Sequence, residues 1–169
     1  MFELAMAAMA ANQDLQPQLG QQNPDVEFMF HGRRVLMECK RVFSEKKVLA
    51  KVSEAIRQLE RCVELGTTDV GVVAVSISRL AHRGDGYWVT STLDVGRTHL
   101  AKALRGMVAE LDPLLCKLRS ASVAGILFYV SGPMYAQDAG FTVVAEGILY
   151  PMVLEEVGLL QQLASTLRV

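Results

Sequence analysis

Apolar and polar residues alternate along two short stretches, Asp25 to Phe30 and Arg34 to Arg41, and His31-Gly32 between them supplies a two-residue turn. That pattern predicts a β-hairpin. The spacing then changes. Val48, Val52, Ala55, Ile56, Leu59 and Val63 fall on one stripe at helical intervals, which predicts a helix over Ser44 to Leu65 with Gly66 as its stop. After the turn-like Thr67-Thr68-Asp69, Val70 to Ile77 is a continuous run rich in β-branched residues, as in a strand buried on both faces. Strand, helix and strand in succession point to a parallel crossover.

The rest of the chain extends this alternation. Met1 to Gln13, rich in Ala, Leu and Met, reads as a helix that begins almost at the first residue, so a shortened amino terminus is expected. Asp14 to Asn23 carries Gln, Asn, Gly and Pro and reads as a loop, with weak strand material at Leu15 to Leu19. Beyond the central strand come a polar loop with Gly84, Gly86, Tyr87 and Trp88, a helix near Asp94 to Leu111, a strand near Val123 to Val130, and a helix near Pro151 to Leu167. The order α, β, β, α, β, α, β, α predicts an α/β sandwich, and 169 residues fit one domain.

Composition narrows the functional classes. A hydrophobic fraction of 51% with 21% charged residues fits a filled globular interior and excludes a disordered tail. Seventeen basic and eighteen acidic side chains leave a net charge of −1, so no global field announces a polyanion as partner. Locally the balance differs. From Arg33 to Arg61 there are nine basic and four acidic residues, a surplus of +5, which suits contact with phosphates and singles out Arg41, Lys46, Lys47 and Lys51. Cys39, Cys62 and Cys116 are odd in number and widely spaced, which suits neither a disulfide framework nor a zinc site and fits a reducing cytoplasm. The apolar segment Phe2 to Ala11 lacks a basic leader, Ala121 to Val130 is too short to span a bilayer, and Phe141 to Leu160 is broken by charges and Pro151. No membrane partner is expected.

The hairpin carries the chemistry. With His31 and Gly32 as turn residues, Phe30 pairs with Arg33 and stepping outward sets Asp25 across from Glu38; a loop two residues longer sets Asp25 across from Lys40 and keeps the same residues on the same face. Val26, Phe28, Phe30, Val35, Met37 and Cys39 then share one face, the core face, and Asp25, Glu27, Glu38 and Lys40 share the other. Opposed carboxylates on neighbouring strands repel by roughly 0.2 to 1 kcal/mol, more when buried, and call for a compensating cation. Magnesium or manganese suits two such oxygen ligands, and Lys40 beside the ion can orient a water and offset charge on a phosphorane-like transition state.

Pro24-Asp25 followed, after twelve intervening residues, by Glu38-Cys39-Lys40 resembles the motif of the PD-(D/E)XK nuclease superfamily. The resemblance covers Met1 to about Ile77, the motif-bearing core, with 78–169 as a carboxyl-terminal completion. It implies a restriction-endonuclease-like fold, a three-layer sandwich with a central mixed sheet flanked by helices. It implies further that Asp25 and Glu38 bind Mg²⁺ or Mn²⁺ with help from the Cys39 carbonyl, and that Lys40 serves the nucleophilic water. Glu3, on the first helix, resembles an accessory acid of the family. Gln58 resembles a glutamine found on the helix after the lysine strand, although Cys62 stands where a tyrosine often follows. The activity implied is hydrolysis of DNA, in a homodimer or within a larger parent complex.

Blander readings stand beside these. Asp25, Glu38 and Lys40 also fit a solvated strand face, and Glu3 an acid favoured by a helix dipole. His31, His82 and His99 have no metal or triad spacing, the serines lack a nucleophile elbow, and the methionines suit a plastic core. Tyr87 and Trp88 suit anchors of a loop better than platforms for bases. Two alternatives to a nuclease follow: an inactive module of the same fold that binds nucleic acid or a protein partner, and a structural domain of a larger protein.

Overall fold

The computed structural model describes residues 2–62, 69–82, 86–118 and 120–167. The expectations placed on Val63 to Thr68 and on Gly84 lie outside them. In chain order the elements are α1 (Phe2–Ala11), β1 (Gln18–Leu19), β2 (Val26–Phe30), β3 (Arg33–Arg41), a 3-10 turn (Glu45–Lys47), α2 (Val48–Leu59) and β4 (Val70–Ser76). They continue with α3 (Ser78–Ala81), β5 (Trp88–Thr90), α4 (Leu93–Leu115), β6 (Val123–Ala136), β7 (Gly140–Pro151), a 3-10 turn (Leu154–Glu156) and α5 (Val157–Leu167).

The strands form one seven-stranded mixed sheet. β1, β2 and β3 are successively antiparallel, β3, β4 and β6 are parallel, and β7 runs antiparallel to β6 along its whole length. Because β7 fills one edge of β6, the other is shared: β4 pairs with Val123 to Tyr129 and β5 with Met134 to Ala136. Two apolar layers sandwich the sheet. α2 and α4 cover one face, where Val52, Leu59, Leu100 and Leu104 meet Val73, Val75, Ile126 and Phe128. α1 and α5 cover the other, where Phe2, Met6, Leu160 and Leu163 meet Val26, Phe28, Val35, Val72 and Leu127. This is an α/β architecture in three layers, as the order of elements predicts.

The hairpin forms as its sequence dictates. Phe30 faces Arg33 and Val26 faces Met37, with His31 at φ +49° and Gly32 at φ +75° closing the tight turn. Two left-handed residues in succession define the turn type whose twist matches a hairpin, and glycine holds the second without steric cost. Gly32→Ala should therefore lower stability by about 1 kcal/mol, read as a shift in the urea midpoint at unchanged slope. The α2 stripe and the doubly buried β4 likewise match expectation, as does the parallel crossover between them.

Four expectations need correction. The predicted helix from Ser44 opens as a 3-10 turn and becomes α-helical only at Val48. The polar loop after Ile77 holds the short helix α3 and strand β5, and the ring of Trp88 lies so close over Gly132 that a Cβ there would meet it at 2.5 Å. The helix predicted to end at Leu111 runs past Pro113 to Leu115, a buried residue, and Cys116 N–H closes it on Asp112 O. Finally, β6 continues six residues past Val130, and β7 occupies a segment with no predicted strand, so the last helix starts at Val157 instead of Pro151. Ser131-Gly132-Pro133 resembles a turn but sits within β6, in the gap between its partners β4 and β5. Ser131 N–H donates to Ser78 Oγ on that open edge, and Pro133 two residues on points its hydrogen-less nitrogen the same way.

Candidate active site

β2 begins only at Val26, opposite Met37, whereas β3 continues to Arg41, so the last residues of β3 have β4 on one side and the turn before β2 on the other. Asp25 stands at that junction. Gly20 N–H donates to its carbonyl, and its carboxylate Oδ2 accepts the Cys39 N–H at 2.7 Å. Ladder alternation explains the second bond. In a hairpin closed by two residues, Phe30 and Arg33 exchange hydrogen bonds, and so do every second pair outward, which turns the N–H and C=O of Cys39 toward the strand that has already ended. The position that would answer is Pro24, which has no N–H to give. Asp25 takes the donor instead, and the Cys39 carbonyl faces the same opening.

Glu38 and Lys40 project from the α2 side of β3. The blander reading of a solvated strand face does not hold here: α2 roofs this face, Leu36 and Glu38 are each 1% exposed, and Lys40 is largely enclosed. Lys40 Nζ donates to Glu38 Oε1 at 2.7 Å and lies 3.6 Å from Oε1 of Glu54 on α2. Glu54 is held in turn by Lys51 Nζ at 2.6 Å. One turn further along α2, Gln58 Nε2 donates to Asn23 Oδ1 at 3.3 Å across the site mouth. Among the described residues, two buried oxygens here lack any hydrogen-bond partner: Glu38 Oε2 and Gln58 Oε1.

The electrostatics follow from this geometry. Burial pushes the Glu38 carboxyl above the ordinary glutamate value. The hydrogen bond from Lys40 offsets part of that push, and the charge of Asp25 adds to it. Burial pulls the Lys40 ammonium down, but the bond to Glu38 and the charges of Glu38, Glu54 and Asp25 outweigh it and hold it above the usual lysine value. Lys40 thus stays charged. The hydrogen bond from Lys51, followed by the charges of Lys40 and Lys51, holds Glu54 low. Desolvation, reinforced by Asp25, Glu3 and Glu38, raises the Cys39 thiol, which makes that side chain inert packing.

The structure thus brings Asp25, Glu38, Lys40 and the Cys39 backbone together, with Gln58 at the rim. It places Glu3 differently. α1 lies on the opposite face of the sheet, where Glu3 feels the charge of Arg41. Arg41, Lys46 and Lys47 are exposed at or just beyond the end of β3, whereas Lys51 is engaged with Glu54. Glu54 is the residue that the sequence reading missed. It lies four residues before Gln58, and that helical interval was the available signal.

Two carboxylates and a carbonyl form a set of hard oxygen donors that suits Mg²⁺ or Mn²⁺. A buried carboxyl oxygen next to a second carboxylate is satisfied by a cation, or by a proton shared with Asp25, whose hydrogen bond and charge help raise Glu38. The residues present fit the ion on that ground, although among the described residues no three His, Cys, Asp or Glu side chains form a metal-binding group. Comparison of the chain with protein-family models, with curated proteins and with solved structures gave no match. The functional reading therefore rests on the geometry of these side chains.

Proposed function

We propose that the protein is a metal-dependent nuclease that hydrolyses DNA through Asp25, Glu38 and Lys40 on a restriction-endonuclease-like sandwich. The observation that carries this reading is Glu38 Oε2, buried beside Asp25 without a donor while Lys40 holds the other oxygen of the same carboxylate. Asp25, Glu38 and the Cys39 carbonyl would hold the ion. When bound, a hard divalent cation supplies an acidified water and neutralises charge on a phosphoryl oxygen. Lys40, charged and fixed by two carboxylates, orients that water and donates to the charge that builds on the phosphate. Gln58 steadies the mouth of the site through Asn23, and Arg41, Lys46 and Lys47 supply salt-sensitive contacts to the backbone of the substrate. Glu3, across the sheet, bears on the site through Arg41.

One observation favours a second reading, a module of this fold that binds nucleic acid or a protein without cleaving. Lys40 already has two carboxylate partners and so can complete the site without a metal. Cleavage of supercoiled plasmid and of short single strands, with Mg²⁺, Mn²⁺ or chelator, separates the two. The nuclease requires products that depend on the metal and disappear in Asp25→Ala. No products on either substrate, together with no metal binding by calorimetry, leaves the binding module.

A further inference from the structure

A second cleft opens at the carboxyl ends of the parallel strands β3, β4 and β6. Its accessible volume is about 360 Å³, and its walls include Arg41, Phe43, Ser76, Ser78, Arg79 and Ser131. In open α/β sheets this end of the strands is where ligands bind, because side chains and loops there converge on one crevice. The chemistry of the walls is specific. Arg41, Arg79 and three serines line it together with apolar Phe2, Ala5 and Val42, and no carboxylate lines the cleft. Glu3 lies close enough to Arg41 to feel its charge, while the Arg79 side chain forms no hydrogen bond or ion pair with a described residue.

The hydroxyl floor is ready to donate. Ser78 Oγ accepts the Ser131 N–H at 2.9 Å and lies 3.2 Å from Ser76 Oγ and 3.5 Å from Ser131 Oγ. Three hydroxyls own three protons, and the two contacts among them use two at most, so one proton remains for an incoming acceptor. A tetrahedral oxyanion with several lone pairs satisfies the floor and both guanidinium groups at once.

The position of the cleft identifies the ligand further. Lys40 and Arg41 are consecutive at the end of β3 and leave it on opposite faces, Lys40 toward Glu38 and Glu54, Arg41 toward the cleft. A polyanion crossing the end of β3 meets both. Phe43, two residues on, is 69% exposed at the rim, where its ring presents a face on which a base can stack. We infer that this cleft holds a backbone phosphate of a single nucleic-acid strand whose adjacent base lies on Phe43, and that Arg79 and the three serines form the phosphate seat. For the identity of the strand, the inference rests on the proposed function.

The test is binding of a labelled single-stranded oligonucleotide in chelator, where no cleavage occurs, followed by fluorescence anisotropy across a salt series. Arg79→Gln should weaken binding about tenfold, and should flatten the plot of log affinity against log salt by about 0.7, the share of one phosphate contact. Phe43→Ala should weaken binding by about tenfold with the slope kept. Lys102→Gln, an exposed change on α4, should alter affinity little. Unchanged affinity and slope in Arg79→Gln overturn the inference, as does a mononucleotide that competes as well as the strand, which would make the cleft a seat for small phosphate esters. Cleavage by the wild type alongside unaltered Arg79→Gln binding removes this seat and leaves the catalytic reading standing. Binding that depends on Arg79, without cleavage under any metal, does the reverse.

Discussion

Lys40→Ala should lower metal-dependent cleavage by about a thousandfold, with a folded protein remaining. The activity loss is the cost of removing one charged donor aimed at a developing oxyanion, typically 10² to 10³ in rate, plus the loss of a fixed water. Without metal a stability loss accompanies it, because Glu38 is 1% exposed and loses the ammonium bonded to it. Stripping one partner from an enclosed pair costs about 3 kcal/mol, less if the carboxyl takes up a proton. Lys40→Arg separates the two effects. It keeps the charge beside Glu38 and so restores most of the stability, but a planar guanidinium does not reproduce the compact ammonium and should restore little cleavage. Rates on plasmid, paired with urea midpoints for the three proteins, check this. Cleavage by Lys40→Ala within about threefold of wild type, far short of the loss of a charged donor, would remove Lys40 from the mechanism.

Mg²⁺ or Mn²⁺ should raise the melting temperature of the wild type and leave Asp25→Asn and Glu38→Gln nearly unmoved. A ligand that binds only the folded state stabilises it by about 2.7 kcal/mol at a hundredfold excess over Kd. For a chain of this length that is roughly 5 to 10 °C. The pH dependence fixes the sign. Because the Glu38 carboxyl is raised in the folded state, folding favours its proton. Stability from that proton is fully present below the ordinary value of 4.5 and falls as pH rises from there through the raised folded value. Above that window the folded protein carries a buried charge at a constant cost, which the bound cation offsets. Glu38→Gln keeps an acceptor for Lys40 and removes the charge, so without metal it should lose less stability across the same window. Thermal melts between acid and neutral pH, with and without metal, measure both effects. Equal metal shifts in all three proteins would mean that the ion binds elsewhere.

Much of the candidate site was legible in the sequence because side chains alternate along a strand, so either hairpin register puts the same residues on the same face. Once His31-Gly32 forms the turn, alternation alone puts Asp25, Glu38 and Lys40 on one face, and the structure keeps that face. The local sequence did not show the roof over it. Glu38 looked like a residue on an open strand face and is among the most buried in the chain, because α2 closes over β3 and contributes Glu54 and Gln58. The carboxyl-terminal half was harder to read for a related reason. β5 is three residues long and exists only by pairing with a strand more than forty residues away. β7 reverses the usual pattern, with Phe141 69% and Val143 73% exposed.

The sequence by itself determined what depends on neighbours in the chain. These features are the hairpin, the apolar stripe of α2, the doubly buried β4 and the face on which the carboxylates and lysine lie, each set by turn residues or by side-chain periodicity within a few residues. Only the tertiary structure decided what depends on groups distant in the chain. It buried Glu38 under α2, sent Glu3 to the opposite face, left the Cys39 carbonyl without a partner at Pro24, and gathered Arg41, Arg79 and Ser131 around one cleft. The physical reason is that burial, and the shift in charge that comes with it, belongs to the packing of layers, and no local period of two or 3.6 residues encodes which layer will close over a given face.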